Sequence, residues 1–210
     1  MNGKLIHNAA IITICSLFSV MLVCDAFAQA RKAGAATAAA TQPAGKEGVG
    51  VKALEITKIR TPDYTYSGNT HEANIVVGEW AMLLVKFDTD AEWTDQLEMR
   101  FYIVVKNSKT SAFTMFTGAY VYSDIPKGRN HQVAVYLRPR TLERYGNVVE
   151  QAAVEVYSKG EVVAYRSSPE SNKPWWRTAN VRAIEGYVLD RSLTMFANIA
   201  VDNYEIPKGK

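Results

Sequence analysis

The sequence is poor in the residues that most enzymes and metal sites use. Its 210 residues include two cysteines and three histidines, and no nucleophile elbow, P-loop or HExxH motif occurs. Both cysteines, Cys15 and Cys24, lie within the first 30 residues. If that segment is removed, the remaining chain can form no disulfide, thiol nucleophile, cysteine zinc site or iron–sulfur cluster.

The N-terminal segment has the layout of a secretory signal peptide. Lys4 precedes an uncharged apolar run at residues 9–23, and alanines at positions 26, 28 and 30 follow it. The run is shorter than the ~20 residues that span a bilayer. We therefore predict a signal peptide at residues 1–30, with cleavage after Ala28 or Ala30.

Two other export signals compete with this interpretation. Cys24 would be the lipidated residue of a lipoprotein, but the bulky Val23 precedes it where a small residue is needed. A prepilin would be cut after Gly3, but Asn8 lies where the glutamate of that signal is expected. The secretory signal fits better than either alternative.

A linker is predicted at residues 31–50 and a single domain at residues 51–207. The linker consists almost entirely of alanine, glycine, threonine and charged residues, which bury too little apolar surface to offset the entropy of ordering. The domain is long enough to form a full hydrophobic core. The formal net charge of the chain is +3.

Alternating apolar and polar residues predict an antiparallel β-sandwich. In residues 97–106, Leu97, Met99, Phe101, Ile103 and Val105 share one face of an extended chain. Weaker alternation recurs in other runs, at positions 54–57, 81–87 and 132–138. Turn residues at 125–128 and 158–161 predict hairpin reversals. Residues 139–146 begin with a proline and end with a glycine, which predicts one short helix between strands.

The ionisable residues do not predict a catalytic or metal site. Beyond the signal segment the histidines are His71 and His131, and they look isolated. Glu92, Asp95 and Glu98 are spaced by three, so neighbours in this set fall on opposite faces of a strand. Positions 88, 90 and 92 have the alternate acids of a calcium loop but lack its glycine. We expect a protein that is not an enzyme and that has no cofactor or metal.

Aromatic residues are the best candidates for an interaction site. Trp175 and Trp176 stand together in a loop-like stretch, and exposed indoles stack on sugars or anchor protein interfaces. On an extended chain the two side chains point to opposite sides, and we expect Trp176 to be the buried one. Tyr120 and Tyr122 lie on the same face of a strand. A binding surface and cross-strand packing explain this placement equally well.

Basic residues form a modest cluster along the chain, at Lys127, Arg129, Arg138, Arg140 and Arg144. An exported protein rarely meets nucleic acid, so we expect no nucleic-acid partner. Anionic glycans, envelope lipids or a protein are alternative partners for a basic surface, and a solvated hydrophilic face is the simplest explanation.

An ordered series of segments resembles a known protein family. The segments are Y-S-D-I-P-K-G-R at 122–129, R-P-R-T-L-E-R at 138–144, K-G-E-V-V-A at 159–164, P-W-W at 174–176 and V-D-N-Y-E at 201–205. Together they are similar to the exported, immunoglobulin-like proteins encoded with type IV pilus genes in Verrucomicrobia, an Akkermansia-type family. Met195 departs from the family pattern, where a proline is expected.

The resemblance implies a fold and a role but no site residues. It implies an immunoglobulin-like β-sandwich and a structural or interaction role linked to the pilus or the outer envelope. The expected partners are proteins of that machinery, with a second copy of the chain as another. The expected location is the periplasm, outer membrane or cell surface. The alternative function is a carbohydrate-binding module for host mucin-type glycans.

Overall fold

The computed structural model describes residues 48–61 and 78–208. Seven strands are present: β1 (Val49–Arg60), β2 (Glu79–Lys106), β3 (Phe113–Leu137), β4 (Val148–Ser158), β5 (Glu161–Ser168), β6 (Ala183–Glu185) and β7 (Leu189–Asp190). Two α-helices, α1 (Pro139–Tyr145) and α2 (Trp175–Thr178), and the 3-10 turns Arg191–Leu193 and Val201–Asn203 complete the fold. The predicted signal peptide, the linker up to residue 47 and His71 lie outside the described residues.

Two long strands, β2 and β3, run through both halves of the sandwich. The first half of β2 pairs with β1, and its second half pairs with β4, which in turn pairs with β5. β3 pairs with β2 along almost its whole length, and it also pairs with β7 near its end and in parallel with β6 near its beginning. Every other pairing is antiparallel. Val49 and Gly50 already belong to β1, so the sheet begins inside the predicted linker.

The core confirms the all-β antiparallel sandwich. Leu97, Met99, Phe101, Ile103 and Val105 of β2 are fully buried, as their alternation predicts. Residues from both halves of β2 and β3 join residues of β1, β4 and β5 in one hydrophobic cluster. The two halves therefore pack face to face on a shared core, as in sandwiches generally.

The predicted reversal at residues 125–128 is wrong. β3 continues through this stretch, with Pro126 opposite Trp93 and Gly128 opposite Thr89. The ladder between β2 and β3 is interrupted here by register shifts, and a proline without an N–H is tolerated at such an irregularity. Asp124 and Asn130 have φ values of 58° and 61°, which these two residue types adopt more easily than most.

The other predicted turn and the predicted helix are confirmed. Ser158–Glu161 joins β4 to β5, with φ of 50° at Lys159 and 84° at Gly160, as a tight hairpin requires. α1 begins at Pro139 and is closed by Gly146, whose N–H donates to the carbonyl of Leu142. The prediction of a single helix is incomplete, because four residues of α2 are too few to give a periodic pattern.

A second, smaller core lies on the opposite face of the first half of the sheet. Tyr136 points away from Val133, Val135 and Leu137, yet it is buried with Trp80, Leu84, Ala134 and Phe196. Its ring stacks on Phe196 with centroids 4.9 Å apart, and Trp80 meets Phe196 edge-on. The C-terminal part of the chain thus covers one outer face. Within the described residues, no helix is long and apolar enough to cross a membrane.

Candidate interaction site around Trp176 and Glu155

The outer face of β2, β4 and β5 carries a cluster of aromatic and charged side chains. On β4, Ala152, Val154 and Val156 point into the core, so Glu155 and Tyr157 point outward. In the sheet register, Glu155 lies between Arg100 of β2 and Tyr165 of β5. Helix α2 lies over this face and closes the cluster.

Glu155 is the charged centre of the cluster, and only 1% of its side chain is exposed. The hydroxyls of Tyr102 and Tyr157 donate to its Oε2 at 3.0 and 2.9 Å. Arg177 donates from Nε to Oε1 at 2.7 Å, and its Nη2 lies 2.6 Å from the same atom. The hydrogen bonds from these donors offset the free-energy cost of burying the carboxylate.

The pKa of Glu155 is shifted by opposing causes. Burial of the carboxyl raises it, but the indole of Trp176, the two tyrosine hydroxyls and the Arg177 guanidinium together lower it below the usual value. The same contacts act on Tyr102, where burial and the nearby Glu155 charge raise the pKa of the phenol. The carboxylate is therefore ionised at neutral pH and held by its partners.

Trp176 covers Glu155 and is itself 3% exposed. Its ring lies 6.1 Å from Tyr102, 5.6 Å from Tyr165 and 5.5 Å from Trp175, measured between centroids. Its N–H lowers the pKa of the Glu155 carboxyl without meeting the geometry of a hydrogen bond. The indole N–H groups of Trp175 and Trp176 are both buried and have no hydrogen-bond partner. The expectation that Trp176 points inward is confirmed.

The extended geometry predicted for the tryptophan pair is wrong. Both residues belong to α2, where consecutive side chains are about 100° apart rather than opposite. The two rings are nearly perpendicular, at 88°, and Trp175 is half-buried. The pair therefore does not form one flat surface; a binding role for it stays a prediction.

Tyr120 and Tyr122 do not join this cluster. The Tyr122 ring is fully buried in the main core, and its hydroxyl donates to Asp190 Oδ2 at 2.8 Å. The Tyr120 hydroxyl donates to the Val188 carbonyl at 2.6 Å. Burial is the main cause that raises the pKa of both phenols. Both tyrosines fasten the segment around β7 to β3.

The sequence alone indicates that Glu155 is a special residue, although it is not among the candidates of the sequence analysis. It is the only charged residue in the buried stretch A-A-V-E-V of β4, and a buried charge needs partners. Its partners were harder to find, because Tyr102 and Arg177 are remote from it in the chain. The five basic residues of the predicted cluster are exposed and form two groups: Lys127 and Arg129 lie where the β2–β3 ladder is interrupted, and Arg138, Arg140 and Arg144 lie at α1.

His131 is not isolated, contrary to the sequence interpretation. Its Nδ1 lies 2.8 Å from Glu205 Oε1, and its Nε2 lies 3.2 Å from Thr89 Oγ1. Asp88 pairs with Lys52 at 3.3 Å and accepts a hydrogen bond from the backbone of Asn130. Within residues 48–61 and 78–208, no three His, Cys, Asp or Glu side chains are grouped so that they could hold a metal.

Exposed apolar side chains concentrate near the C-terminus. Five of the eight large hydrophobic residues exposed in the described part of the chain lie within residues 192–206: Leu193, Met195, Ile199, Val201 and Ile206. We call residues 192–206 the apolar segment. The most exposed of the other three is Trp93, at 61%, in the part of β2 where its pairing with β3 is interrupted.

Comparison with known proteins agrees with the resemblance. A protein-family model matches residues 40–210. The chain belongs to the Akkermansia-type family of immunoglobulin-like proteins encoded with type IV pilus genes. A crystal structure of a protein from Akkermansia muciniphila is similar in fold, with a TM-score of 0.66 at 20% identity over 81% of this chain and 100% of that chain. No curated protein matches the sequence.

Proposed function

We propose that this member of the Akkermansia-type family is an exported, non-catalytic protein that binds protein components of the type IV pilus or outer envelope. Family membership supports the pilus association. The predicted signal peptide supports a location in the periplasm, at the outer membrane or on the cell surface. The observation that carries the binding role is the apolar segment.

The apolar segment fits a protein partner better than a lipid surface. Leu193 and Ile206 are 60% and 59% exposed, and grouped exposure of this kind is typical of protein-binding surfaces. Residues 192–206 contain no lysine or arginine, and the flanking Arg191 is buried, so Lys208 is the one exposed basic residue that directly flanks the apolar segment in the described chain; attachment to anionic lipids relies on clusters of basic residues. Asp202 adds a negative charge, so the complementary partner surface is apolar with a basic rim.

The buried Glu155 and the pair of His131 and Glu205 support a role without catalysis. Glu155 is enclosed, and its charge is held by Arg177. His131 and Glu205 contact each other, and the hydroxyl beside them belongs to Thr89, which is 2% exposed. A hydroxyl this deeply buried is inaccessible to a substrate. The contacts that hold these groups within the fold support the proposal of a role without catalysis.

Affinity capture from membranes tests the proposal. The exported chain is the bait, with a Leu193→Asp/Ile199→Asp variant that places charges in the apolar segment and a Trp93→Ala variant as matched control. We expect type IV pilus or envelope components on the wild type and the control, and at least a tenfold lower recovery on the double variant. Circular dichroism and thermal melts verify that all three are folded.

The same proteins test the carbohydrate-binding alternative on a glycan array. Trp93 is exposed and Trp175 is half-buried, so these two indoles, unlike the buried Trp176, are available to stack on a sugar ring. Mucin-type glycan binding that disappears in Trp93→Ala or in Trp175→Ala, without pilus or envelope proteins in the capture, would replace the proposed function with the alternative.

A further inference from the structure

The sulfur atoms of the chain beyond the predicted signal peptide all belong to methionines. Both cysteines lie in the signal peptide, together with Met1 and Met21. The methionines that follow it are Met82, Met99, Met115 and Met195. No thiol competes with these thioethers for an oxidant, so the sulfur chemistry of the exported chain is methionine oxidation.

Burial separates Met195 from the other three of these methionines. Met99 and Met115 are only 0% and 5% exposed, and Met82 is half-buried against the second, smaller core. Met195 is 39% exposed. Oxidation requires that the oxidant reach the sulfur atom, so Met195 is the methionine that the fold leaves most open to this reaction.

Met195 lies inside the apolar segment, between two residues that the fold holds in place. The N–H and the hydroxyl of Thr194 donate to the Arg191 carbonyl at 3.0 and 2.8 Å, and its Oγ1 accepts from the Phe196 N–H at 3.2 Å. The Phe196 ring is buried in the second core, where it stacks on Tyr136. A change at the Met195 sulfur therefore alters the surface of the apolar segment and leaves its backbone in place.

We propose that Met195 is a site of oxidation by peroxide and that its conversion to the sulfoxide releases the protein partner from the apolar segment. The release rests on the proposed function, whereas the oxidation site does not. A lone pair of the sulfur attacks one peroxide oxygen, the O–O bond breaks and an S–O bond forms. The proton on the transferred oxygen passes to the departing hydroxide, so the sulfur is oxidised and the peroxide is reduced to water.

The sulfoxide makes part of this binding surface polar. A thioether is a soft, nearly apolar group, whereas the S–O group is strongly dipolar and accepts hydrogen bonds from water. An apolar partner surface removes that water without supplying a donor, which weakens binding. The apolar segment contains no other sulfur, so its sensitivity to peroxide depends on Met195.

Peptide mapping by mass spectrometry, after hydrogen peroxide treatment of the folded exported chain, identifies the oxidation site. We expect the Met195 peptide to gain an oxygen at least about tenfold faster than the Met99 and Met115 peptides, because the fold shields buried thioethers. Tm should change by no more than about 2 °C, since the added oxygen lies at the surface. Oxidation of any other methionine as fast as Met195 would overturn the proposal.

Affinity capture from membranes tests the release of the partner. Each bait is used before and after peroxide treatment, and catalase removes the peroxide before capture. The baits are the wild type and Met195→Leu, whose side chain has a similar volume and no sulfur. We expect oxidation to lower the recovery of pilus or envelope proteins at least about fivefold on the wild type and less than about twofold on Met195→Leu. The same ratio for both baits would contradict the release.

A Met195→Gln variant tests the release without an oxidant, because its amide places a polar group of similar size at the same position. We expect this variant to recover as little of the partner as the oxidised wild type does, and recovery equal to the untreated wild type would contradict the release. An untreated wild type that recovers no pilus or envelope protein would contradict the proposed function, and the release with it. The peptide map decides the oxidation site in either case.

Discussion

Truncation of Trp176 tests the account of the cluster on the outer sheet face. The indole is 3% exposed and touches three other aromatic rings. Removing a buried tryptophan side chain costs about 3–5 kcal/mol, because apolar burial is lost and the space is only partly refilled. For a protein of this size about 1 kcal/mol shifts Tm by roughly 2–4 °C, so Trp176→Ala should lower Tm by about 6–20 °C.

Trp93→Ala is the matched control, because it makes the same substitution at an indole that is 61% exposed. It should change the free energy of unfolding by no more than about 0.5 kcal/mol and Tm by about 2 °C or less. Both variants are compared with the wild type by calorimetry at one concentration. A Trp176→Ala protein that melts within about 2 °C of the wild type would refute the packing argument.

Three further substitutions test other parts of the fold. Glu155→Gln should lower the free energy of unfolding by about 1–3 kcal/mol at neutral pH. Because the pKa of Glu155 is lowered in the folded state, this difference should shrink as the pH falls through that lowered value; urea unfolding that shows a constant difference would contradict it. Tyr122→Phe leaves the buried Asp190 without one donor and should cost about 1–3 kcal/mol in the same assay, so unchanged stability would count against that contact. The methyl group added by Gly160→Ala meets no neighbouring atom, but a non-glycine residue must then adopt φ of 84°. We expect the free energy of unfolding to fall by about 1 kcal/mol, and a melt identical to the wild type would exclude this strain.

Alternation predicted the buried faces of the sheet well. Every second residue of β2 from Leu97 to Val105 is buried, because period-two spacing is a direct consequence of strand geometry. The stretch around Pro126 was misinterpreted because proline and glycine mark a reversal and a bulged strand equally well. Only the pairing of Pro126 with Trp93 distinguishes the two, and that pairing depends on residues far apart in the sequence.

The cluster around Glu155 and the contacts of His131 depend more than the buried strand faces on residues that are far apart in the sequence. The sequence favours Trp176 as the buried indole because it leads into an apolar-containing run at residues 179–189, but the turn of helix that orients it is too short to be predicted. His131 looked isolated because Thr89 and Glu205 approach it from two distant parts of the chain. No spacing rule connects these three positions, so their arrangement requires the fold.

Site-specific photo-crosslinking in cells tests the central claim most directly. A photoreactive residue replaces Leu193 in the apolar segment or, as control, the exposed Lys109 in the turn between β2 and β3. We predict that position 193 crosslinks to a type IV pilus or envelope protein identified by mass spectrometry and that position 109 does not. Piliated cells in which position 193 gives no such product, or in which both positions give the same products, would contradict the claim.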